Sequence, residues 1–487
     1  MDDFKKALDE IGTGTNISRS AYDTAWLARL DEQAADLSQP ALEWLSENQN
    51  SDGSWGARAP EYYSDRLICT LAAVTALARS GRRTSDRRLI QRGSQTLGTL
   101  ISGATRNLAW DNTIGFELIA PTLVSEAEAL GIIPHQSAHF LGKLVRERNK
   151  KLSSLPSGMV NRTLTVAFSA EMAGTDEQHL LDIVNLPEAN GSISYSPSAT
   201  AYFTRYVQAY PPALEYLRSV VKNGAAPYTY PIDVFEIAWS YWNLILAGHA
   251  EELKDRKETR FLQENWQVNL GAAPDSGLSL VDGDTTSMVF SVLSRLGRQP
   301  DLATLLTYEM KDHFRCYWLE SNHSISTNIH ALGALREIHN DEAQVVQKIL
   351  KFLYRTRTPE GYWFDKWHVS PYYTTAHALI NCQGLAPEIV EKAGEWFLSS
   401  QNQNGAWGIY PGMPTAEETA YALQALVIWR RNGGKVPKKA LQRGAAWLEE
   451  NRQLPYPLLW IGKVLYCPEV IVRTSILCAL EMVQQEI

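Results

Sequence analysis

The sequence Gln49-Asn-Ser-Asp-Gly-Ser-Trp55-Gly returns near the other end of the chain as Gln401-Asn-Gln-Asn-Gly-Ala-Trp407-Gly. A partial copy at 357–363 keeps Gly361 and Trp363 in their places. Each copy follows an apolar segment with helical spacing and precedes a turn, where glycine adopts conformations that other residues avoid. We expect the glutamine to bond the backbone at the start of a helix while the tryptophan lies over it. The repeat therefore predicts adjacent helices that are tied together.

Apolar residues recur at helical spacing along most of the chain, in segments of about 10–18 residues. Examples are Leu67 to Leu77, Pro121 to Leu130, Ser198 to Val207, Thr285 to Leu296, Asn328 to Ile338 and Thr415 to Arg430. Convincing alternation with a period of two residues is absent, so the sequence predicts an all-α protein. Because the two full repeats lie far apart, we expect two related helical domains, each a double-layered α-barrel, rather than a continuous solenoid.

Length and composition narrow the classes of function. A chain of 487 residues is long enough for two or three domains, and the segment 223–231 is the best candidate boundary. Lys and Arg number 46 against 54 Asp and Glu, a net charge of −8, and no stripe is dense in Lys or Arg. This balance argues against general nucleic-acid binding. No apolar run is long enough to span a membrane.

The cysteines and the first residues indicate a cytoplasmic protein. The five cysteines are scattered without a C-x-x-C motif, which excludes a disulfide framework and an obvious zinc site and fits a reducing compartment. The sequence MDDFKKALDE at the start lacks the apolar segment of a secretory signal.

The most specific local signal is Asp282-Gly-Asp284-Thr285-Thr286, directly before an apolar helix. One interpretation is a helix cap, because Asp and Thr bond the free N–H groups of a first turn. In the other, the two carboxyl groups share a proton, because adjacent like charges cannot both ionise cheaply. The helix dipole favours the anion, so a protonated acid here also requires an apolar pocket with little water.

This motif closely resembles the D-x-D-D/T-T acid motif of class II terpene cyclases. Residues 20–26, Ser-Ala-Tyr-Asp-Thr-Ala-Trp, match a segment near the start of their diterpene branch. Further matches in the family's order are 114–121 (IGFELIAP), 190–192 (NGS), 196–201 (SPSATA) and 460–466 (WIGKVLY). The chain is most similar to the bacterial class II diterpene cyclases that include kolavenyl and halimadienyl (tuberculosinyl) diphosphate synthases, whose motif also ends in Thr-Thr.

The resemblance implies a fold of two α-barrels, called β and γ, with the active cavity between them. Residues 1–30 would join the β domain, 31–231 would form the inserted γ domain, and 232–487 would complete β. It also implies that geranylgeranyl diphosphate is the substrate and that protonation of an alkene starts the reaction.

In this family the middle acid donates the proton, which implies Asp284 here, with Asp282 holding or reloading that proton. Thr285 and Thr286 would replace a second carboxylate found in many relatives. To keep an aspartic acid half neutral at pH 7, its pKa must rise by about 3 units, or roughly 4 kcal/mol.

A hydrogen bond to the other carboxyl oxygen would stabilise the conjugate base as the proton leaves. His330 resembles the position that serves this purpose in squalene–hopene cyclases. Asn328 is the neighbouring alternative, because related diterpene cyclases use an asparagine, and a structural role for either residue stays open.

Carbocations need a cavity wall that stabilises their positive charge without reacting with it. Each aromatic face contributes about 1–2 kcal/mol of such stabilisation when desolvated. The segment 361–377 resembles the aromatic segment of triterpene cyclases. Its candidate lining residues are Trp363, Trp367, Tyr372, Tyr373 and His377. A packed turn between barrel helices explains some of these rings equally well.

The chain has no D-D-x-x-D metal cluster, which argues against ionisation chemistry and predicts a product that keeps its diphosphate. Lys463 and Lys366 are candidate phosphate contacts, although lysines at exposed helix ends are more common. The family implies Mg²⁺, largely coordinated by phosphate and water. The acidic cluster of plant relatives is not recognisable, which leaves Asp111 and Glu117 as weak candidate ligands.

Thr415-Ala-Glu417-Glu418 resembles a stretch common to these bacterial cyclases. Glu418 stands three residues after Thr415, so we favour a capping box for it. The sequence does not identify the base that removes the final proton.

The sequence leaves several products, and two other classes of protein, as alternatives. We favour a rearranged kolavenyl diphosphate over halimadienyl or copalyl diphosphate, and drimenyl diphosphate from a farnesyl substrate is a further alternative. A downstream class I terpene synthase would use the product, and a homodimer is a further option. The alternatives outside the class are a carbohydrate-active α-barrel, which needs a carboxylate pair about 5–9 Å apart, and a prenyltransferase-like subunit, whose metal ligands cannot be assembled.

Overall fold

The helices predicted from apolar spacing form throughout the computed structural model, which describes residues 2–13, 16–104, 113–134, 139–320, 322–338, 344–410 and 412–487. Helices dominate these residues, and the all-α prediction is confirmed. In the first half the α-helices are α1 (Asp2–Glu10), α2 (Ala21–Ala28), α3 (Ala35–Glu47), α4 (Tyr63–Ser80), α5 (Thr84–Ala104), α6 (Phe116–Ala129), α7 (His139–Leu152), α8 (Pro197–Tyr202) and α9 (Pro211–Val220). Those after residue 231 are α10 (Asp233–Ala247), α11 (Ala250–Leu253), α12 (Lys257–Glu264), α13 (Gly283–Arg295), α14 (Leu302–Leu306), α15 (Ile325–Arg336), α16 (Gln344–Thr356), α17 (Pro371–Asn381), α18 (Pro387–Ser399), α19 (Ala416–Arg431), α20 (Lys438–Asn451) and α21 (Glu469–Glu486).

Shorter elements complete the chain. Asp31–Ala34, Thr165–Ala173 and Gln178–Leu180 are 3₁₀ helices, and Phe203–Val207 is a π-helical turn. Two short strands, β1 (Trp460–Ile461) and β2 (Leu465–Tyr466), pair antiparallel. No helix among the described residues is both long and apolar enough to cross a lipid bilayer.

The helices after residue 231 form a double-layered barrel. The inner layer is a closed ring in which each helix contacts the next, in the order α10, α13, α15, α17, α19, α21 and back to α10. The outer helices α12, α16, α18 and α20 pack against this ring, and α1 packs on α21. We call this unit the C-terminal barrel.

A second ring lies in the first half of the chain. Helix α2 contacts α4, α4 contacts α6, and the ring closes through Thr165–Ala173 and α8 back to α2. Helices α3, α5, α7 and α9 pack outside it. We call this unit the N-terminal barrel.

The tryptophans of the repeat fasten outer helices to the turns, as expected. The indole N–H groups of Trp55, Trp363 and Trp407 each donate to the carbonyl oxygen ten residues earlier, at 2.7–3.0 Å. All three rings are fully buried. The partial copy therefore makes the same contact as the full copies.

The glutamines bond the next outer helix, two helices further along the chain. Gln49 Nε2 donates to Leu89 O of α5 and Gln401 Nε2 to Ala440 O of α20, both at 2.9 Å. Gly53 has a φ of 92°, and a Cβ atom there would lie 2.7 Å from a backbone oxygen of α5. The turn therefore requires glycine both for its conformation and for its close approach.

The buried side chains divide into two main apolar cores. One contains Ile11, Ile17 and residues from Ile232 to Val483, and the other extends from Ala21 to Ala226 and includes Val464. We expected residues 1–30 to join the C-terminal barrel, but the side chains change core between Ile17 and Ala21. The reason is that α2 is an inner helix of the N-terminal ring.

The strand pair β1–β2 crosses between the barrels. Val464, at its turn, is buried in the N-terminal core. Leu465 N donates to Asp65 Oδ1, and Ile114 N donates to Gly462 O, both at 2.8 Å. This hairpin brings Lys463 to the surface shared by the two barrels.

Candidate active site

Asp282 is the N-cap of α13. Its Oδ1 accepts a hydrogen bond from Thr285 N at 2.7 Å, and its Oδ2 accepts one from the Thr285 hydroxyl at 2.9 Å. Burial, and then the charge of Asp284, raise the pKa of Asp282 to about 7. The cap and the proton-holding interpretations therefore apply to the same residue.

Thr286 has a different contact from Thr285. Its hydroxyl donates to Asp282 O at 2.6 Å and accepts from Ala272 N at 2.9 Å. Thr286 therefore holds the backbone of the cap, whereas Thr285 binds the carboxylate.

Asp284 follows in the first turn of α13, facing α15. Its Oδ1 lies 2.6 Å from Nδ1 of His330, and its Oδ2 accepts from the Ser326 hydroxyl at 3.1 Å. The predicted contact between His330 and the acid is present. Ser326 was not predicted, although it stands four residues before His330 on the same helix face.

The Ser326 hydroxyl also lies 2.8 Å from Oδ2 of Asp365. One hydroxyl hydrogen can serve only one carboxylate, so both bonds form only when one carboxyl group carries a proton. Burial, and then the charge of Asp284, raise the pKa of Asp365. The cluster of Asp282, Asp284 and Asp365 is thus suited to retaining a proton.

His377 lies behind His330 rather than in the cavity wall. Its Nδ1 is 2.8 Å from His330 Nε2, and its ring stacks on Trp242 with centroids 4.2 Å apart. Burial, and then the charge of His330, lower the pKa of His377 well below its usual value. A neutral His377 therefore orients the His330 ring.

Asn328 does not contact the acid. Its side chain accepts from Phe314 N at 2.7 Å and donates to Phe314 O at 2.9 Å. Because the residue faces the loop before α15, it holds that loop, and His330 rather than Asn328 is the partner of Asp284.

A cavity lined by both barrels lies beside Asp282, Asp284 and Thr285. Two of the predicted aromatic residues, Trp367 and Tyr373, line it. The aromatic lining that the sequence did not identify is Phe168, Tyr228, Phe235, Trp239, Tyr317, Trp460 and Tyr466. Of these, Trp460 and Tyr466 lie in a segment that carries the family resemblance and Tyr228 lies in the candidate boundary 223–231, while the sequence did not distinguish the others from core residues.

Two predicted lining residues point elsewhere. Trp363 is the repeat tryptophan bonded to Leu353 O. Tyr372 packs on Trp396 and Phe397, with centroids 4.6 and 5.9 Å away. Both are explained by helix packing, because Trp363 packs against α16 and Tyr372 against α18.

Lys463 lines the cavity but is fully buried and paired. Its Nζ lies 2.8 Å from Glu171 Oε1 and 2.6 Å from the hydroxyls of Ser196 and Ser198. Asp23 lies close enough that its carboxyl is also influenced by this ammonium group, although burial raises the pKa of Asp23 to about 6. We call these residues the lysine cluster.

Lys366 is paired too. Its Nζ lies 2.7 Å from Glu320 Oε2 and 2.8 Å from Asn322 O. Neither lysine can bind a phosphate without sharing its ammonium group with an existing carboxylate partner.

Glu117 is the predicted magnesium ligand within the described residues, and its surroundings do not fit the ion. Asp111 lies outside the described residues, and Glu117 pairs with Lys151 on the surface of the N-terminal barrel. A carboxylate already bound to an ammonium group is a poor ligand for a hard cation that favours octahedral oxygen coordination.

Comparisons with known proteins agree with this geometry. The chain is 40% identical to a type B diterpene cyclase of Mycobacterium tuberculosis over 100% of this chain and 99% of that protein. The chain belongs to the bacterial class II diterpene cyclases. This cyclase is therefore an enzyme of the isomerase type, and the carbohydrate-active and prenyltransferase-like alternatives are excluded.

Solved structures extend the likeness to the fold. This class II cyclase matches the ent-copalyl diphosphate synthase of Streptomyces platensis with a TM-score of 0.80 and 27% identity, over 99% of this chain and 100% of the other. Among sequence relatives, the labda-7,13-dienyl diphosphate synthase of Streptomyces clavuligerus is 30% identical over 91% of this chain and 86% of its own. The family model for the squalene-hopene cyclase C-terminal domain matches residues 320–456, which include His330 and Trp367.

Proposed function

We propose that this cyclase protonates geranylgeranyl diphosphate through Asp284 and closes two rings, while the diphosphate is retained. The single observation that carries the proposal is the position of the Asp284 carboxyl. It lies at the wall of a largely aromatic cavity, bonded on one oxygen to His330 and on the other to Ser326. Relatives named for copalyl and labdadienyl diphosphates support the choice of a diterpene diphosphate.

In the first step the O–H bond at Asp284 Oδ2 breaks and a C–H bond forms at the terminal alkene of the substrate. The electron pair of the alkene forms that bond, which leaves a tertiary cation on the neighbouring carbon. His330, with Nδ1–H donating to Oδ1, stabilises the new carboxylate in a setting with little water. The internal alkenes then attack in turn and close the rings.

The rings around the cavity stabilise the cations. Trp239, Trp367, Tyr373 and Trp460 present faces that attract positive charge and hold no lone pair that would capture it. Trp239 Nε1 donates to the Tyr373 hydroxyl at 2.8 Å, so the position of both rings is fixed.

Asp284 must recover its proton after each turnover. Asp282 is two residues away and has a pKa of about 7, so it is partly protonated at neutral pH. We propose that Asp282 holds this proton for Asp284. These steps use side chains of the protein alone.

For the product we propose the rearranged kolavenyl diphosphate, with hydride and methyl shifts before the last proton leaves. Halimadienyl diphosphate would result if the shifts stop early, and copalyl diphosphate if none occur. A product that keeps its diphosphate requires a later enzyme that ionises it, which is the chemistry of a class I terpene synthase.

The test is incubation of purified protein with geranylgeranyl diphosphate in a magnesium buffer, followed by removal of phosphate and identification of the alcohol by mass spectrometry and NMR. We expect a bicyclic alcohol of the clerodane skeleton. Recovery of linear geranylgeraniol alone would contradict the proposal, and conversion of farnesyl diphosphate only would reassign the substrate.

A further inference from the structure

A second buried acid lies behind the aromatic wall, and the steps above do not use it. Glu417, in the first turn of α19, is fully buried. Its Oε1 accepts from Trp460 Nε1 at 2.8 Å, with His368 Nε2 and the Tyr421 hydroxyl each 3.2 Å away. Its Oε2 is buried without a hydrogen-bond partner among the described residues.

The neighbours of Glu417 identify it as a carboxylate. The indole N–H of Trp460 can only donate. Nδ1 of His368 lies 3.0 Å from Ser370 N and 3.1 Å from Ser370 O, and its Nε2 faces Glu417 Oε1 at 3.2 Å. A hydrogen on Nε2 would donate to Glu417 in the neutral and in the protonated ring alike. The first turn of α19 adds the positive end of a helix dipole, which also favours the anion.

This negative charge has no lysine or arginine partner among the described residues. The ion-pair contacts of Glu417 there comprise His368 alone. Burying a carboxylate without a cation costs stability, so proteins keep such groups where function needs the charge.

The carboxylate is one ring away from the cavity. Trp460 lines the cavity and donates its N–H to Glu417, which polarises the indole and makes its face more negative. His368 stacks on Tyr373, a second wall residue, with centroids 4.9 Å apart. Glu417 thus contacts one wall ring directly and the other through His368.

We infer that Glu417 is the counter-charge of the carbocations: a fixed buried carboxylate that acts through Trp460 and His368 to stabilise positive charge in the cavity. This inference rests on the proposed function. Because Glu417 and His368 do not line the cavity, they act as positioning residues rather than as the final base. A preorganised charge aimed at the developing cation favours the transition state without reorganisation.

The test is Glu417→Gln, which keeps the shape and the acceptor oxygen but removes the charge. We expect the rate of cyclisation to fall by about 10- to 100-fold, with a larger share of products that lose their proton before the rearrangement is complete. The melting temperature should stay the same or rise, because a buried charge without a lysine or arginine partner has been removed.

A binding measurement separates charge from shape. An azaprenyl diphosphate, with a protonated nitrogen in place of the tertiary carbon, mimics the first cation. It should bind Glu417→Gln about tenfold more weakly than the wild type, or roughly 1.4 kcal/mol. A 14,15-dihydro analogue of the substrate, which lacks the terminal alkene and carries no charge on its hydrocarbon chain, should bind both proteins equally.

Glu418→Gln is the matched control. This neighbouring carboxyl is also buried, but it binds Ile409 N and the Thr415 hydroxyl and has no contact with the wall. The control should lower the melting temperature and leave the product ratio unchanged.

A purely structural role for Glu417 would lower the melting temperature and weaken both analogues equally, and that result would overturn the inference. So would an unchanged rate and product ratio in Glu417→Gln. If the wild type forms no cyclic product, or Asp284→Asn still forms one, the proposed function fails instead, and the two failures are distinguishable.

Discussion

Two polar clusters border one cavity, and they are built differently. The acid cluster of Asp282, Asp284, Asp365 and His330 belongs to the C-terminal barrel, and among the described residues no lysine or arginine forms an ion pair with it. The lysine cluster joins Lys463 of the hairpin to Glu171 and two serines of the N-terminal barrel. The first cluster shares protons, whereas the second holds a fixed ion pair.

The difference shows what each wall requires. A fixed cation beside Asp284 would stabilise its carboxylate and favour loss of the proton that the reaction uses. Beside Glu171, a fixed cation is required, because a lone buried carboxylate would destabilise the contact between the barrels. Variants in the acid cluster should therefore change chemistry, and variants in the lysine cluster should change stability.

The largest expected effect is that of Asp284→Asn. Without the acid no cation forms, so cyclic product should fall by at least about 10³-fold, near the upper range of general acid catalysis. Product formation is measured by mass spectrometry and folding by circular dichroism. A variant that folds and retains a tenth of the activity would place the acid elsewhere.

Lys463→Met should be the most destabilising change. It leaves Glu171 buried without its cation, at a cost of about 3–5 kcal/mol in the free energy of unfolding, measured by urea denaturation. The double variant with Glu171→Gln should recover part of the loss. The control is Arg218→Met, which breaks an exposed pair with Asp36 and should cost less than about 1 kcal/mol. Equal losses of stability in the two variants would contradict the predicted difference between the buried and the exposed ion pair.

The pH dependence should separate the clusters. Asp282 has a pKa of about 7, so turnover should fall as the pH rises through 7 and this proton is lost. Asp23 of the lysine cluster has a pKa of about 6, yet Asp23→Asn should leave the midpoint of the rate profile in place. Initial rates between pH 5 and 9 test both statements, and a rate that stays constant to pH 9 would exclude Asp282 as the proton store.

The raised pKa values of Asp282 and Asp23 also determine how the stability of the protein changes with pH. A carboxyl whose pKa is raised on folding binds its proton more tightly in the native state, so stability falls as the pH rises from about 4, the unfolded value, to the folded value. That window ends near pH 7 for Asp282 and near pH 6 for Asp23. Asp282→Asn should flatten the decline in its window, as measured by urea denaturation at a series of pH values.

The smallest expected effect is that of Tyr22→Phe. The variant removes a 3.0 Å hydrogen bond to Glu171, so the free energy of unfolding should fall by about 1 kcal/mol with an unchanged product ratio. Ser326→Ala removes a comparable bond in the acid cluster and should instead slow cyclisation. A changed product ratio in Tyr22→Phe would show that the lysine cluster also shapes the reaction.

Local pattern predicted much of this enzyme. The apolar spacing and the repeat indicated the helices and the tryptophan contacts, and the motif at Asp282–Thr286, with its resemblance, pointed to the acid and to His330. These features depend on residues that are close in the sequence or fixed on one helix. Such features can therefore be predicted from the sequence alone.

Features formed by distant segments were not predicted. Asp365 reaches the acid through Ser326, and Glu171 reaches Lys463 across the two barrels. Glu171 lies in no distinctive local pattern, and Asp365 lies in the segment 361–377, which the sequence marked only for its aromatic rings. Trp363 and Trp367 are equally aromatic and four residues apart, and only the turn between them decides which one faces the cavity.

The hairpin that places Val464 in the N-terminal core, and Trp460 in the wall of the cavity, has a practical consequence. The two barrels are not interchangeable modules, because this hairpin belongs by sequence to the C-terminal barrel, where Trp460 and Tyr466 pack, while Val464 at its turn packs in the core of the N-terminal barrel. A chimaera that exchanges one half with a relative must carry this hairpin together with its receiving surface around Asp65 and Ile114. Exchange of either alone would pair the hairpin with a surface that does not fit it.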